Sequence, residues 1–293
     1  MPDATGPERI FDRRLLRWRR TRAAAGMTSH GFLLEHVTAD LAERLSLMQR
    51  TFAVGLDLGA HGAGLSQTLL GTGKVASMWR AAPVAALAGP CDGAAIVADD
   101  EALPFAPQSV DLLVSALGLQ LVNDLPGALL QIRQTLKPDG LLLAAMLGGR
   151  TLAEMRAAIA AAELETTGGI SPRVAPFADI RELGRLLQRA GFALPVADVD
   201  PLEVTYTSPE QLMRELKAMG ASNMLAERRK VPIRRDTLAR AMEIYRRDFA
   251  RGGRIVATFE IVTLTGWAPH ASQQKPLKPG SARASLQGGI ESG

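Results

Sequence analysis

The residues best placed to do chemistry cluster around a glycine-rich turn. Residues 53–65 read Ala-Val-Gly-Leu-Asp-Leu-Gly-Ala-His-Gly-Ala-Gly-Leu. An apolar run ends at Asp57, and Gly59, Gly62 and Gly64 follow before a helical pattern opens. Residues without Cβ let the backbone turn sharply and let a ligand approach it closely. The helix behind the turn points free N–H groups at that ligand. Strand, tight turn and helix start, in that order, predict a nucleotide-type pocket at the carboxyl end of a first strand. The plainer alternative is a buried strand with a Gly-rich turn and no ligand.

Two further polar groups belong to the same argument. Asp99, Asp100 and Glu101 follow a third apolar segment, and Gln120, Asn123 and Asp124 follow a fourth. In an open parallel sheet the carboxyl ends of the strands line one crevice, so these groups should face the glycine turn across one pocket. Asp124 also reads as a plain helix N-cap, and 99–101 as a solvated loop.

Other chemistries lack their residues. His30, His36, His61 and His270 are far apart and form no metal-ligand spacing, so no metal site is expected. There is no Gly-x-Ser-x-Gly elbow and no Gly-Lys-Ser/Thr phosphate loop. The single cysteine, Cys91, excludes an internal disulfide, fits a reducing compartment and reads as a small hydrophobe. Aromatic residues make up 4% of the 293 residues, and no basic stripe is interleaved with them, so nucleic-acid binding is not expected. No run approaches ~18 apolar residues, so no membrane span is expected, and no signal-peptide core follows the basic start.

The elements around these groups alternate. Strands are expected at 53–58, 74–79, 94–98, 109–117 and 141–147, with helices at 64–70 and 124–136. This alternation implies a Rossmann-like, doubly wound, mostly parallel α/β sheet. Beyond it come helices at 152–165, 180–190, from 208 to about 219, and 237–251, with strands at 196–206 and 255–267. Before it, seven arginines lie between Arg9 and Arg22, with Ile10, Phe11, Leu15 and Trp18 near helical spacing. That segment has three readings: a helix packed on the main domain with a solvated basic face, a docking element for anionic lipid or an acidic partner, or a transit peptide. A second amphipathic helix is expected at 30–48. The organisation implied is an N-terminal helical cap at 1–49 and a main domain at 50–268. Its core would be 50–150, with a helical lid at about 150–195 and 207–252, and 269–293 would be a flexible tail.

Asp57-Leu58-Gly59, Asp99-Asp100-Glu101-Ala102-Leu103-Pro104-Phe105 and Leu136-Lys137-Pro138-Asp139-Gly140 resemble the cofactor segments of class I S-adenosylmethionine-dependent methyltransferases. A narrower likeness runs along nearly the whole chain: Ile10-Phe11-Asp12-Arg13, Leu121-Val122-Asn123-Asp124-Leu125-Pro126, Gly169-Ile170-Ser171-Pro172, Met219-Gly220-Ala221-Ser222-Asn223 and Gly266-Trp267-Ala268-Pro269-His270. These motifs, with Ser272-Gln273-Gln274-Lys275-Pro276 and Gly280-Ser281-Ala282, resemble the arginine hydroxylases of mitochondrial complex I assembly and their alphaproteobacterial relatives. That family is itself similar to malonyl-carrier-protein methyltransferases in its N-terminal half.

The resemblance implies S-adenosylmethionine as cofactor, and a complex I quinone-module subunit with a modified arginine as partner. It assigns Asp57, Gly59, His61, Gly62 and Asp99 to the cofactor, with Asp100 and Gln120 finishing the pocket. Asn123 and Asp124 are the candidates for catalysis by a general base. A cytoplasmic enzyme is expected, with the basic helix free to touch the inner face of the membrane. The rival readings are a malonyl-carrier-protein O-methyltransferase of biotin synthesis and a non-catalytic complex I assembly chaperone with a degenerate pocket. Departures from the methyltransferase pattern are His61 and Ala63 in place of glycines, and Trp79-Arg80 where an acidic residue usually accepts both ribose hydroxyls. An arginine has donors only and cannot take that role. Losing these features predicts cofactor binding weaker by ~10²-fold or more.

Overall fold

The computed structural model describes residues 9–26, 31–88 and 94–274. His30, Cys91 and the tail beyond 274 lie outside them. Eight strands form one sheet: β1 (Phe52–Leu58), β2 (Val75–Ala82), β3 (Ala95–Val97), β4 (Val110–Ala116), β5 (Leu136–Leu147), β6 (Ala193–Tyr206), β7 (Ala250–Arg251) and β8 (Arg254–Trp267). Their order is β3-β2-β1-β4-β5-β8-β6, with β7 paired to β8. The pairs linking β1 to β5 are parallel, and β8 inserts antiparallel between β5 and β6. This is the expected doubly wound sheet. Its direction of winding reverses between β1 and β4, and the crevice for a ligand opens there.

The central strands are apolar throughout because both faces are covered. On one face Leu112, Val114, Leu141 and Leu143 pack with residues of α2 (Phe32–Leu47), α3 (Gly64–Gly71), α6 (Ala153–Thr167), α8 (Pro209–Ala218) and α9 (Arg235–Phe249). On the other, Leu56, Leu113, Leu142 and Leu264 pack with α5 (Leu125–Thr135) and α7 (Ile180–Arg189). Leu112, Leu113, Leu142 and Leu143 are all fully buried, and each such side chain contributes about 1.5–3 kcal/mol of transfer free energy. Among the described residues no helix is long and apolar enough to cross a membrane.

Local chemistry sets the helix starts. Asp124 caps α5 by accepting from Gly127 N at 2.8 Å, and Pro126 sits in the first turn. Ser208 and Pro209 open α8 in the same way. Lys137-Pro138-Asp139-Gly140, expected as a turn before a strand, instead lies inside β5. Asp139 takes φ of +61°, and the β4–β5 register shifts beside it.

The N-terminal helix α1 (Arg13–Ala23) lies on this frame. Asp12 caps it, accepting from Leu15 N at 3.0 Å. Phe11 forms a β-bridge with Leu225, and Asp12 N donates to Met224 O at 2.9 Å. Asn123 clasps the same segment: its Oδ1 accepts from Phe11 N at 2.7 Å, and its Nδ2 donates to Phe11 O at 3.3 Å. The face expected to be apolar is turned differently. Trp18 is 54% exposed, whereas Leu16, Arg20 and Ala23 are buried. The cause is electrostatic, because the arginines of this face reach the acidic segment that follows β3.

Removing the Asn123 clasp strands the Phe11 amide. Asn123→Ala should lower stability by about 1–3 kcal/mol in chemical denaturation, and trypsin should cut within α1 sooner than in the wild type.

Candidate cofactor crevice and substrate chamber

At the carboxyl end of β1 the backbone takes conformations that glycine permits: Gly59 has φ of +75° and Gly62 of +119°. A Cβ on Gly59 would stand 3.4 Å from the Cα of Gly118 and 3.6 Å from Asp100 Oδ1. Two loops, one after β1 and one after β4, therefore meet backbone to backbone at the switch point. Ala63, at the N-cap of α3, offers no capping side chain, so the first amides of α3 have no side-chain acceptor there.

Asp57 is fully buried beneath this turn. Ser66 Oγ donates to it at 3.1 Å, and Arg80 pairs with it in the β1–β2 register. Burial pushes its carboxyl up to about 7, against the opposing pull of Ser66 and Arg80. Arg80 itself departs from expectation. The strand runs on through Ala81 and Ala82, so Arg80 lies inside β2 and not at its end. After β2 comes an apolar cluster of Ala60, Ala82, Val84 and Leu87, with Ala24 against it.

The acidic segment is held from above. Arg13 donates to Asp99 Oδ1 at 2.6 Å and Arg17 donates to Oδ2. Desolvation raises the Asp99 carboxyl, but the Glu101 amide and these two arginines outweigh it and hold the group below its ordinary range. Asp100 is fully buried, with Arg13 at 3.8 Å and Arg20 at 3.9 Å. Burial raises its carboxyl, and both arginines oppose that shift. Arg20 is buried too. Desolvation lowers its guanidinium to about 10, Asp100 supporting the charge and Arg13 opposing it. Both terminal nitrogens of Arg20, both oxygens of Asp100 and Oε1 of Gln120 are buried without a hydrogen-bond partner among the described residues.

Arg20, His61, Leu117 and Gln120 form one wall of a cavity of about 370 Å³. Much of the remaining lining is apolar, including Leu33 and Leu34 of α2, Met155 and Ile159 of α6, Met213 and Leu216 of α8, and Phe259 of β8. His61 is half-buried there; desolvation and then the Arg20 charge lower its imidazole below its ordinary value, which favours the neutral form. The described lining contains Arg20, Arg173 and Lys217 but no carboxylate.

The expected site residues thus divide. His61 and Gln120 line the cavity. Asp57, Gly59, Gly62, Asp99 and Asp100 do not line it: Asp57 is bound by Ser66, Gly59 stands against Gly118 and Asp100, Gly62 continues the turn, and Asp99 is engaged by α1. Asn123 and Asp124 do not line it: one clasps Phe11 and the other caps α5. Arg20 was missed as a site residue. Its signal was present, since Arg13, Arg17 and Arg20 stand at i, i+4 and i+7, one helical face.

A methyltransferase domain family matches residues 56–144. The zebrafish protein named arginine-hydroxylase NDUFAF5, mitochondrial, is 38% identical over 288 residues, spanning 94% of this chain and 88% of its own. The human protein of that name is 39% identical over 284 residues, spanning 94% and 82%. The chain belongs to the NDUFAF5 arginine-hydroxylase family. A malonyl-[acyl-carrier protein] O-methyltransferase of Gallionella capsiferriformans is 32% identical over 282 residues, spanning 89% of this chain and 93% of that one. Among solved structures, YcgJ of Bacillus subtilis shares the fold at a TM-score of 0.55 and 14% identity, covering 80% of this chain and 99% of that one.

The methyltransferase fold of this NDUFAF5-family chain implies S-adenosylmethionine, and the residues present fit it. A glycine cradle faces the crevice, and the orphaned Arg20 nitrogens suit a carboxylate. The buried Asp100 and Gln120 oxygens suit an ammonium or amine.

The raised Asp57 makes stability depend on pH. Between its ordinary value of 3.8 and about 7 the folded chain binds a proton that the unfolded chain has lost, so this contribution to stability is present at low pH and is lost as pH rises. Asp57→Asn removes the effect. Stability of the variant relative to wild type should therefore improve as pH rises from 4 to 7, by at most about 1.4 kcal/mol per unit of pKa difference. Chemical denaturation across that window checks it.

Proposed function

We propose that this chain is an S-adenosylmethionine-dependent enzyme that modifies an arginine of a quinone-module subunit during assembly of respiratory complex I, acting at the cytoplasmic side. The observation that carries the reading is the set of orphaned polar atoms of Arg20 and Gln120, which line a cavity beside the glycine turn, with the orphaned Asp100 carboxylate 3.9 Å behind Arg20. Atoms so buried are costly to leave without partners, and a ligand supplies them. The relatives named arginine-hydroxylase support arginine as the target.

The cofactor, when bound, supplies an electrophilic sulfonium methyl. The protein's own contribution is binding, alignment and exclusion of water. Gly59 and Gly62 let the backbone close on the ligand. Arg20 would hold its carboxylate, with Asp100 keeping the guanidinium charge balanced. α1 covers the crevice, and its arginines on Asp99 fasten that cover. Gln120 Oε1 is an acceptor ready for an N–H of the substrate, and neutral His61 adds no charge to the wall. The segments 150–195 and 207–252 would serve as the lid, since α6, α8 and the loop after α8 surround the apolar chamber.

One observation favours a second reading. The described chamber lining has no carboxylate to receive a guanidinium, and a malonyl carboxylate would suit its other cations, Arg173 and Lys217. The carrier-protein O-methyltransferase relative is consistent with that.

Calorimetric titration with S-adenosylmethionine should show binding by the wild type and a loss of about tenfold or more in Arg20→Gln, as expected for one charged hydrogen bond to a carboxylate. Mass spectrometry of the purified quinone-module subunit then reads the reaction. An added oxygen on arginine means hydroxylation and an added methylene means methylation. An unmodified arginine together with methylation of a malonyl-carrier protein would replace the first reading by the second.

A further inference from the structure

A second concavity lies outside the crevice, between α1 and α8. It has a volume of about 570 Å³, and its walls include Trp18, Arg19, Arg22, Arg214 and Lys217. Its described lining holds four cations and no carboxylate. That is unusual for this chain, which pairs many surface arginines with acids: Arg44 with Asp198, Arg240 with Glu165, Arg246 with Glu210 and Arg251 with Glu203. In the groove Arg22 stacks over the Trp18 ring at 4.7 Å and Arg19 donates to the carbonyl of Asn223. No carboxylate within ion-pair distance meets Arg214 or Lys217 among the described residues. The charge is therefore available to a partner.

The groove also adjoins the chamber. Lys217, Gly220 and Ser222 line both. A chain lying in the groove would therefore run beside the chamber. The concavity suits a peptide segment, whereas a bilayer surface is met by a flat or convex face. Trp18, 54% exposed, gives such a segment an apolar platform beside the cations.

We propose that this groove docks the protein substrate, and that it selects an extended segment with acidic residues flanking the side chain to be modified. The inference rests on the protein-substrate reading above. Clustered cations of one sign speed encounter with an acidic segment and disfavour basic ones, so the groove sets which arginine is presented while the chamber handles it.

The test uses the full chain and two fluorescein-labelled peptides, one with a central arginine flanked on both sides by glutamates, the other with glutamines in their place. Fluorescence anisotropy should show binding of the glutamate peptide, weakened by salt, and little binding of the glutamine peptide. The double variant Arg22→Glu, Arg214→Glu should bind the glutamate peptide about tenfold or more weakly, while its calorimetric S-adenosylmethionine titration and circular dichroism stay as in the wild type. Equal binding of the two peptides, or no effect of the charge reversal, overturns the proposal. So does sedimentation with phosphatidylglycerol vesicles, lost in the double variant, without peptide binding: the patch would then be a lipid-facing surface. Failure of the cofactor titration in the wild type would strike the enzyme reading separately, because peptide docking is read without cofactor.

Discussion

The structure turns on one expensive burial. Arg20 and Asp100 lie out of water 3.9 Å apart, too far for a direct hydrogen bond, and both keep polar atoms without partners. A buried ion pair seldom pays back its desolvation even in good geometry, and removing one member usually leaves the other worse off. Stability alone gives no reason to keep such a pair. A ligand does, if its own charged groups complete the set. The elements that bring α1 over the crevice follow from that requirement: the Asp12 cap, the bridge from Phe11 to Leu225, the Asn123 clasp, and the grip of Arg13 and Arg17 on Asp99.

The sheet supplies the rigid side of this arrangement. Reversal of winding between β1 and β4 opens the crevice, and Gly59 and Gly118 let the two loops meet without side chains between them. The antiparallel β8 then places Phe259 in the chamber lining, together with residues of α6 and α8. The chamber is thus closed by C-terminal elements over the N-terminal helices and the loops of the half that carries the glycine turn.

Much of this was legible beforehand. The strand, turn and helix around Asp57 follow from local rules: an apolar run, then glycines, then helical spacing. The paired clusters after β3 and β4 were placed in one crevice by topology alone. What stayed hidden depends on contacts across the chain. Asp99 looked like an open acceptor because nothing local shows that Arg13 and Arg17 reach it. Trp18 reads as an apolar member of α1, yet it is exposed and Arg20 is buried, because Arg13 and Arg17 on Arg20's face are fastened to Asp99, more than 80 residues away. Asn123 and Asp124 looked catalytic by proximity, and their carbonyl and carboxylate oxygens serve the backbone of Phe11 and Gly127. Arg80 looked like a residue at the end of β2, but two fully buried alanines carry the strand past it.

The central claim is that Arg20 is held in the crevice to meet the cofactor. A crystal structure of the full chain grown with S-adenosylhomocysteine tests it most directly. The account predicts the cofactor's carboxylate in hydrogen-bond contact with the Arg20 guanidinium and its methionine part against Gly59 and Gly62. A cofactor bound elsewhere, or bound in the crevice with Arg20 still facing only Asp100, would contradict it.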